Sequence, residues 1–87
     1  MLFRSLAVEL APRVQVNAIA PGPVLLPEDF SSAQRKRVAQ ATLVKRIGSP
    51  QDVVNAALFL LEGSDFVTGH VLVVDGGRLI MEGGRDV

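Results

Sequence analysis

The sequence contains no cysteine, tryptophan or tyrosine, and His70 is its single histidine. Without cysteine, neither disulfide bonds nor thiolate metal sites can form. One histidine cannot build a multi-histidine metal centre within one chain. The absence of tyrosine excludes any mechanism in which this chain supplies a tyrosine as the general acid.

The charges are balanced, since nine basic residues oppose nine acidic residues in a chain of 87. Without a long basic run, nucleic acid is not expected as a partner. The longest apolar run is Ala56–Leu61, far short of the roughly 20 residues of a membrane span. Arg4 and Glu9 interrupt any signal-like segment at the start. We therefore expect no membrane partner and a cytoplasmic location.

Hydrophobic patterning predicts a helix, a strand and a second helix in the first half of the chain. Leucines at every fourth position predict an amphipathic helix over Met1–Ala11. Alternation predicts a mostly buried strand over Arg13–Ala20, ended by a Pro-Gly-Pro turn. A polar helix then runs through Ala41, with Asp29 or Ser31 as its cap.

The second half of the chain predicts one helix and one strand. Ser49–Asp52 reads as a helix start, because Ser caps, Pro suits the first turn and Asp can reach back. That helix runs from Pro50 to about Glu62 and is apolar almost all round over Val53–Leu61. A partner or a missing part of the domain must therefore cover its second side. The apolar run His70–Val74 is typical of a parallel strand. Two parallel strands joined by a helical crossover make one α/β unit.

Four short segments occur in an order that identifies a family. They are NAIAPG (17–22), RIGSPQD (46–52), FVTG (66–69) and VDGG (74–77). Residues 1 to about 79 closely resemble the C-terminal part of the short-chain dehydrogenase/reductase family, which leaves 80–87 as a tail. The segments PGPVLLPE (21–28) and DGGR (75–78) suggest a pteridine-reductase-like subgroup.

The resemblance implies a Rossmann-like, doubly wound parallel sheet, of which this chain forms the last two strands and their helices. It implies an oxidoreductase that uses NADP or NAD on a small carbonyl substrate. The family's glycine-rich pyrophosphate turn and its catalytic Ser, Tyr and Lys are absent from this sequence. We therefore expect a fragment without catalytic residues or catalysis of its own. The residues that distinguish NADP from NAD lie upstream in the family.

The resemblance also assigns site residues to the turn that follows the first strand and to the adjoining loop. In the family, backbone groups of this turn lie against the nicotinamide carboxamide, and glycine permits a close approach because it has no Cβ. The alternatives are a plain strand-ending turn and a loop packed on its own domain. The predicted cofactor-binding residues are Pro21, Gly22 and Val24, and the predicted substrate loop carries Leu25, Leu26 and Phe30.

Other polar residues receive structural interpretations. Glu28 and Asp29 are adjacent carboxylates, which on a loop are mostly solvated or capping. Asn17 is expected to be a structural hydrogen-bonding residue, and His70 is expected to be exposed. The basic run 35–37 is interpreted as a solvated helix face.

Two further expectations concern assembly and origin. Val53–Leu61 and the last strand are expected to form a homo-oligomer surface. The alternative function is a non-enzymatic interaction module that pairs with a full-length relative through this surface and the open edge of the first strand. The first helix has no capping residue, which also fits a truncation or a misassigned start.

Overall fold

The computed structural model describes residues 2–82. These residues form four α-helices and two strands, and the first three helices and both strands follow the predicted α/β order. A π-helical turn, Phe59–Gly63, extends the third helix without a break. The elements are α1 (Leu2–Leu10), β1 (Ala18–Pro21), α2 (Ser32–Gln40), α3 (Pro50–Leu58), β2 (Val71–Val74) and α4 (Arg78–Met81).

The sheet consists of β1 and β2, which pair in parallel. Ala18 lies opposite Val71, and Pro21 lies opposite Val74. Parallel strands require a crossover, and α3 lies on the crossover and packs against both strands. Because the strands are parallel, their carboxyl ends lie at the same edge of the sheet. The predicted pair of parallel strands with helices is confirmed.

The predicted strand Arg13–Ala20 was too long at its start and one residue short at its end. Only Ala18–Pro21 belongs to the ladder, because the partner strand is four residues long. Val16 is held differently: its N–H donates to Thr68 Oγ1 at 3.0 Å, and its carbonyl accepts from Gly69 N at 2.8 Å. Alternation in the sequence predicts an extended backbone, but it does not predict how many of its residues pair with the neighbouring strand.

The predicted helix starts are confirmed by their caps. Ser31, not Asp29, caps α2: its hydroxyl accepts from Gln34 N at 3.1 Å, and Gln34 Oε1 accepts from Ser31 N at 2.6 Å. At α3, the Asp52 carboxylate accepts from the Ser49 N–H at 2.8 Å, as the spacing indicated. Met1, included in the first predicted helix, lies outside the described residues.

The sequence predicts a tail from residue 80 onward, whereas the structure forms helix α4 there, over Arg78–Met81. The Asp75 carboxylate builds this helix by accepting from Gly77 N at 2.8 Å and from Leu79 N at 2.9 Å. Gly77 adopts a φ of 85°, which favours glycine. The sequence feature that could have predicted α4 is the Asp-Gly-Gly turn that precedes it. The rest of the predicted tail, residues 83–87, lies outside the described residues.

The core of the described chain is small. Among residues 2–82 only Ala7 and Thr42 are buried. The accessible surface is 6449 Å², whereas a folded monomer of this mass is expected to expose about 5000 Å². The helix formed by α3 and the π-helical turn leaves Leu58 46% and Leu61 78% exposed. None of the helices within residues 2–82 combines the length and hydropathy of a membrane-crossing segment.

The loop after α2 is joined to the turn after β2 next to the buried Thr42. Thr42 is 1% exposed, and its hydroxyl donates to Ala39 O at 2.9 Å and accepts from Lys45 N at 2.9 Å. The adjacent Leu43 N donates to Gly76 O at 2.8 Å. Gly76 has a φ of 64°, and a Cβ there would lie 3.3 Å from Thr42 Cβ. The loop therefore rests directly on the carboxyl edge of the sheet.

We expect Thr42→Val to lower the free energy of unfolding by about 1–3 kcal/mol, because it leaves the Lys45 N–H without its acceptor. Thr42→Ser keeps the hydroxyl and loses only a methyl group, so its loss is expected to be smaller. Urea unfolding followed by circular dichroism measures both. An equal loss in the two variants would show that the hydrogen bond contributes nothing beyond packing.

Candidate functional site

The candidate site lies at the carboxyl edge of the sheet, where Gly22 follows β1 and Asp75 follows β2. Gly22 N donates to Val74 O at 2.9 Å, which extends the ladder by one bond. A Cβ on Gly22 would lie 2.7 Å from both Cα and Cβ of Asp75. Glycine is therefore required here by the approach of the neighbouring turn, a reason that the sequence analysis did not identify.

A cleft of about 520 Å³ opens at this edge. It gathers three of the predicted site residues with three charged residues that the sequence analysis did not assign to the site. The Asp75 carboxylate accepts hydrogen bonds from the N–H groups of Gly77 and Leu79. Arg78 Nε lies 3.0 Å from Glu82 Oε1. Arg78 and Glu82 were missed because they lie on or next to the unpredicted α4. The six residues are Pro21, Gly22, Leu26, Asp75, Arg78 and Glu82.

Val24 lines a smaller cleft of about 170 Å³, together with Arg46, Gly48 and Asp52. Gly48 N donates to Pro23 O at 2.9 Å, which joins the start of α3 to the predicted cofactor segment. Within residues 2–82, neither the N–H nor the carbonyl of Val24 has a hydrogen-bond partner in the chain. Val24 is half-buried and lines this cleft.

The predicted substrate loop is only partly at the site. Leu26 lines the larger cleft, whereas Leu25 is 79% exposed and lines neither cleft. Phe30 is half-buried beyond both clefts, and its N–H donates to Pro27 O at 3.1 Å. The loop therefore presents one apolar side chain to the strand edge.

Arg46 and Asp52 form a bidentate ion pair beside Val24. Their nitrogen–oxygen distances are 3.1 and 3.3 Å. The hydrogen bonds from Arg46, followed by the hydrogen bond from the Ser49 N–H, lower the pKa of Asp52 from 3.8 to about 2. Sequence spacing predicted the Ser49 contact but not the arginine, which comes from the preceding loop.

The remaining polar candidates lie away from the site. Asn17 Nδ2 donates to Val67 O at 2.9 Å, and its Oδ1 accepts from His70 N at 3.0 Å. Asn17 thus has the predicted structural role, at the amino end of β1, and His70 is exposed as predicted. Glu28 and Asp29 are exposed on the loop. Residues 2–82 contain no cluster of three or more potential metal ligands.

The comparisons with known proteins agree on one family. Residues 1–78 match the family described as Enoyl-(Acyl carrier protein) reductase. The 5-keto-D-gluconate 5-reductase of Escherichia coli strain K12 is 43% identical over 90 residues, which covers 92% of this chain and 34% of that protein. The chain belongs to the short-chain dehydrogenase/reductase family. It spans about a third of the length of this curated relative.

Solved structures of short-chain dehydrogenases confirm the Rossmann-like fold class. A small-chain dehydrogenase in complex with NADPH is similar with a TM-score of 0.79 and 34% identity, over 91% of this chain and 38% of that one. A 4-hydroxyisoleucine dehydrogenase complexed with NADH gives 0.81 and 28%, over 91% and 35%. A nicotinamide cofactor is thus supported for the family. The two structures carry different cofactors, so they do not distinguish NADP from NAD.

The ion pair gives a testable pH dependence. The pKa of Asp52 is about 2 in the folded chain, against an ordinary value of 3.8. Because the folded-state pKa is the lower one, ionised Asp52 stabilises the fold above pH 3.8, and this contribution disappears as the pH falls toward 2. We expect Arg46→Gln to raise the Asp52 pKa toward 3.8, as measured by carboxyl carbon-13 NMR.

Arg37→Gln is the matched control, because Arg37 is an exposed arginine on α2. It should leave the Asp52 pKa where it is in the unsubstituted chain. An Asp52 pKa that is unchanged by Arg46→Gln would contradict the assignment of the shift to the ion pair.

Proposed function

We propose that this chain supplies the nicotinamide-side wall, the substrate loop and an oligomer surface of an NAD(P)-dependent oxidoreductase. We assign residues 1–79 to its C-terminal segment; Ile80 and Met81, predicted as tail, belong to α4. The observation that carries the proposal is the unpaired backbone of Val24 beside the carboxyl ends of two parallel strands. Ligands of open α/β sheets bind at that edge.

The backbone of Val24 matches the chemistry of a nicotinamide carboxamide. A carboxamide carries one oxygen that accepts and one amino group that donates, and Val24 offers one N–H and one carbonyl. Pro21 and Gly22 line the adjoining wall, and Leu26 gives the larger cleft an apolar side. The cofactor supplies hydride exchange with a carbonyl carbon. This chain's part is to orient the ring.

The proposal covers both NADP and NAD and names no particular carbonyl substrate. None of the three proteins compared above carries a pteridine substrate in its name. The pteridine-reductase-like subgroup therefore has no support here, and we do not propose it. NADP and NAD are both compatible with Val24, because the carboxamide is common to the two cofactors.

A titration of the nitrogen-15-labelled chain with NADPH, and separately with NADH, tests the role of Val24. We expect the Val24 amide resonance to shift at millimolar cofactor, because the family's pyrophosphate turn is absent from this chain and binding is weak. Val24→Pro removes the N–H donor and should abolish the response of the neighbouring Gly22 amide. Val24→Ala keeps the donor and should retain the response.

Two outcomes would contradict this assignment. One is the absence of any shift at Val24 with either cofactor at saturating millimolar concentrations. The other is an undiminished Gly22 response in Val24→Pro. The same samples test catalysis: without tyrosine, the chain is not expected to oxidise NADPH, and NADPH oxidation above a contamination control would contradict this expectation.

We further propose that the apolar surface of α3 and the π-helical turn, with β2, contacts a second copy of the chain. Val54, Leu58, Phe59 and Leu61 are between 46% and 78% exposed, and Val73 on β2 is 44% exposed. Several apolar side chains exposed along one helix mark an interaction surface. The same surface also fits the alternative function, a non-enzymatic module that pairs with a full-length relative.

We expect the purified chain to sediment as an oligomer, and Leu61→Glu to shift it toward 9.3 kDa. A carboxylate placed in an apolar interface has no partner there and opposes association. Gln40→Glu adds the same charge at the exposed end of α2 and should leave the mass unchanged. A monodisperse monomer with a sharp melting transition in the unsubstituted chain would contradict the proposal.

A further inference from the structure

Gly48 contacts the predicted cofactor segment at two points. Its N–H donates to Pro23 O at 2.9 Å. A Cβ on Gly48 would lie 2.9 Å from Val24 Cγ1, closer than real Cβ contacts permit. The hydrogen bond fixes the backbone just before Val24, and the bare Cα leaves room for the Val24 side chain.

The position of Gly48 is itself set from the other side. The same hypothetical Cβ would lie 3.3 Å from Asp52 Oδ2. That carboxylate is held by the N–H of Ser49 at 2.8 Å and by Arg46 at 3.1 Å. Gly48 is thus enclosed between the capped start of α3 and the segment that follows β1.

The segment from Val24 to Phe30 has few other attachments. Within residues 2–82, its hydrogen bonds are Phe30 N to Pro27 O, inside the segment, and Arg35 Nη2 to Pro27 O at 3.4 Å, from α2. Neither bond reaches the sheet or α3. The Gly48–Pro23 bond is therefore the attachment that joins the start of this segment to the helix crossing the sheet.

We propose that Gly48 is a positioning residue, which sets where the Val24 backbone and the start of the substrate loop lie relative to the strand edge. The functional consequence of this contact rests on the function proposed above, in which the Val24 backbone binds the carboxamide. The contact itself belongs to this chain alone. It can therefore be tested without cofactor.

The first experiment compares the unsubstituted chain with Gly48→Ala by methyl NMR and amide hydrogen exchange. We expect the Val24 methyl resonances to move, and the amide of residue 48 to exchange roughly tenfold faster as its bond to Pro23 lengthens. Gly63→Ala is the matched control. Its Cβ would meet the movable Phe59 ring at 2.6 Å, so Val24 should not respond.

A compensating substitution separates positioning from a general loss of stability. Val24→Ala removes the Cγ1 that the new Cβ would meet, so the double variant Gly48→Ala/Val24→Ala should recover slow exchange at residue 48. If Gly48→Ala alone does not fold and the double variant does, the proposal is supported. Unmoved Val24 methyls in Gly48→Ala, or no recovery in the double variant, would overturn it.

A cofactor titration keeps the two proposals distinguishable. With NADPH, the shift of the residue 24 amide should decrease in Gly48→Ala and return in the double variant, which retains that N–H. If the unsubstituted chain shows no NADPH response, the proposed function fails. The methyl and exchange measurements still decide whether Gly48 positions Val24.

Discussion

The parallel pairing of β1 with β2 is the constraint on which the rest of the structure depends. It brings the carboxyl ends of the two strands, Pro21 and Val74, 53 residues apart in sequence, to one edge. It also obliges the chain between them to cross over, which α3 does while it packs on both strands. The ladder is four residues long, so the turns at its carboxyl end, rather than a large core, organise the site.

Those turns are joined by close approaches of glycine backbone to neighbouring residues. Gly22 lies against Asp75, Gly76 lies against Thr42, and Gly48 lies against Val24. At each position a side chain would displace its neighbour, so the three contacts specify geometry without adding apolar burial. The Asp52 ion pair and the buried Thr42 hydroxyl supply the polar contacts that hold two of these approaches in place.

The described residues leave much apolar surface uncovered. The chain spans about a third of the length of the curated relative described above, and its two strands each have an unpaired edge in the described sheet. A helix that is apolar almost all round packs one side on the sheet and leaves Leu61 exposed on another. Either further protein of the same subunit or a second chain would bury this apolar surface.

Local rules determined much of the fold from the sequence. Ser49 and one of Asp29 or Ser31 marked helix starts, the run His70–Val74 marked a parallel strand that proved one residue shorter at its start, and four short segments identified the family. These signals act over a few residues, where propensity and capping decide the outcome. The extent of β1, the helix after Asp75, the need for glycine at residues 22 and 48, and the pairing of Arg46 with Asp52 were decided only in three dimensions. Each depends on a partner distant in space or on a turn whose geometry the ladder sets, and a linear pattern carries no record of how closely two backbones approach.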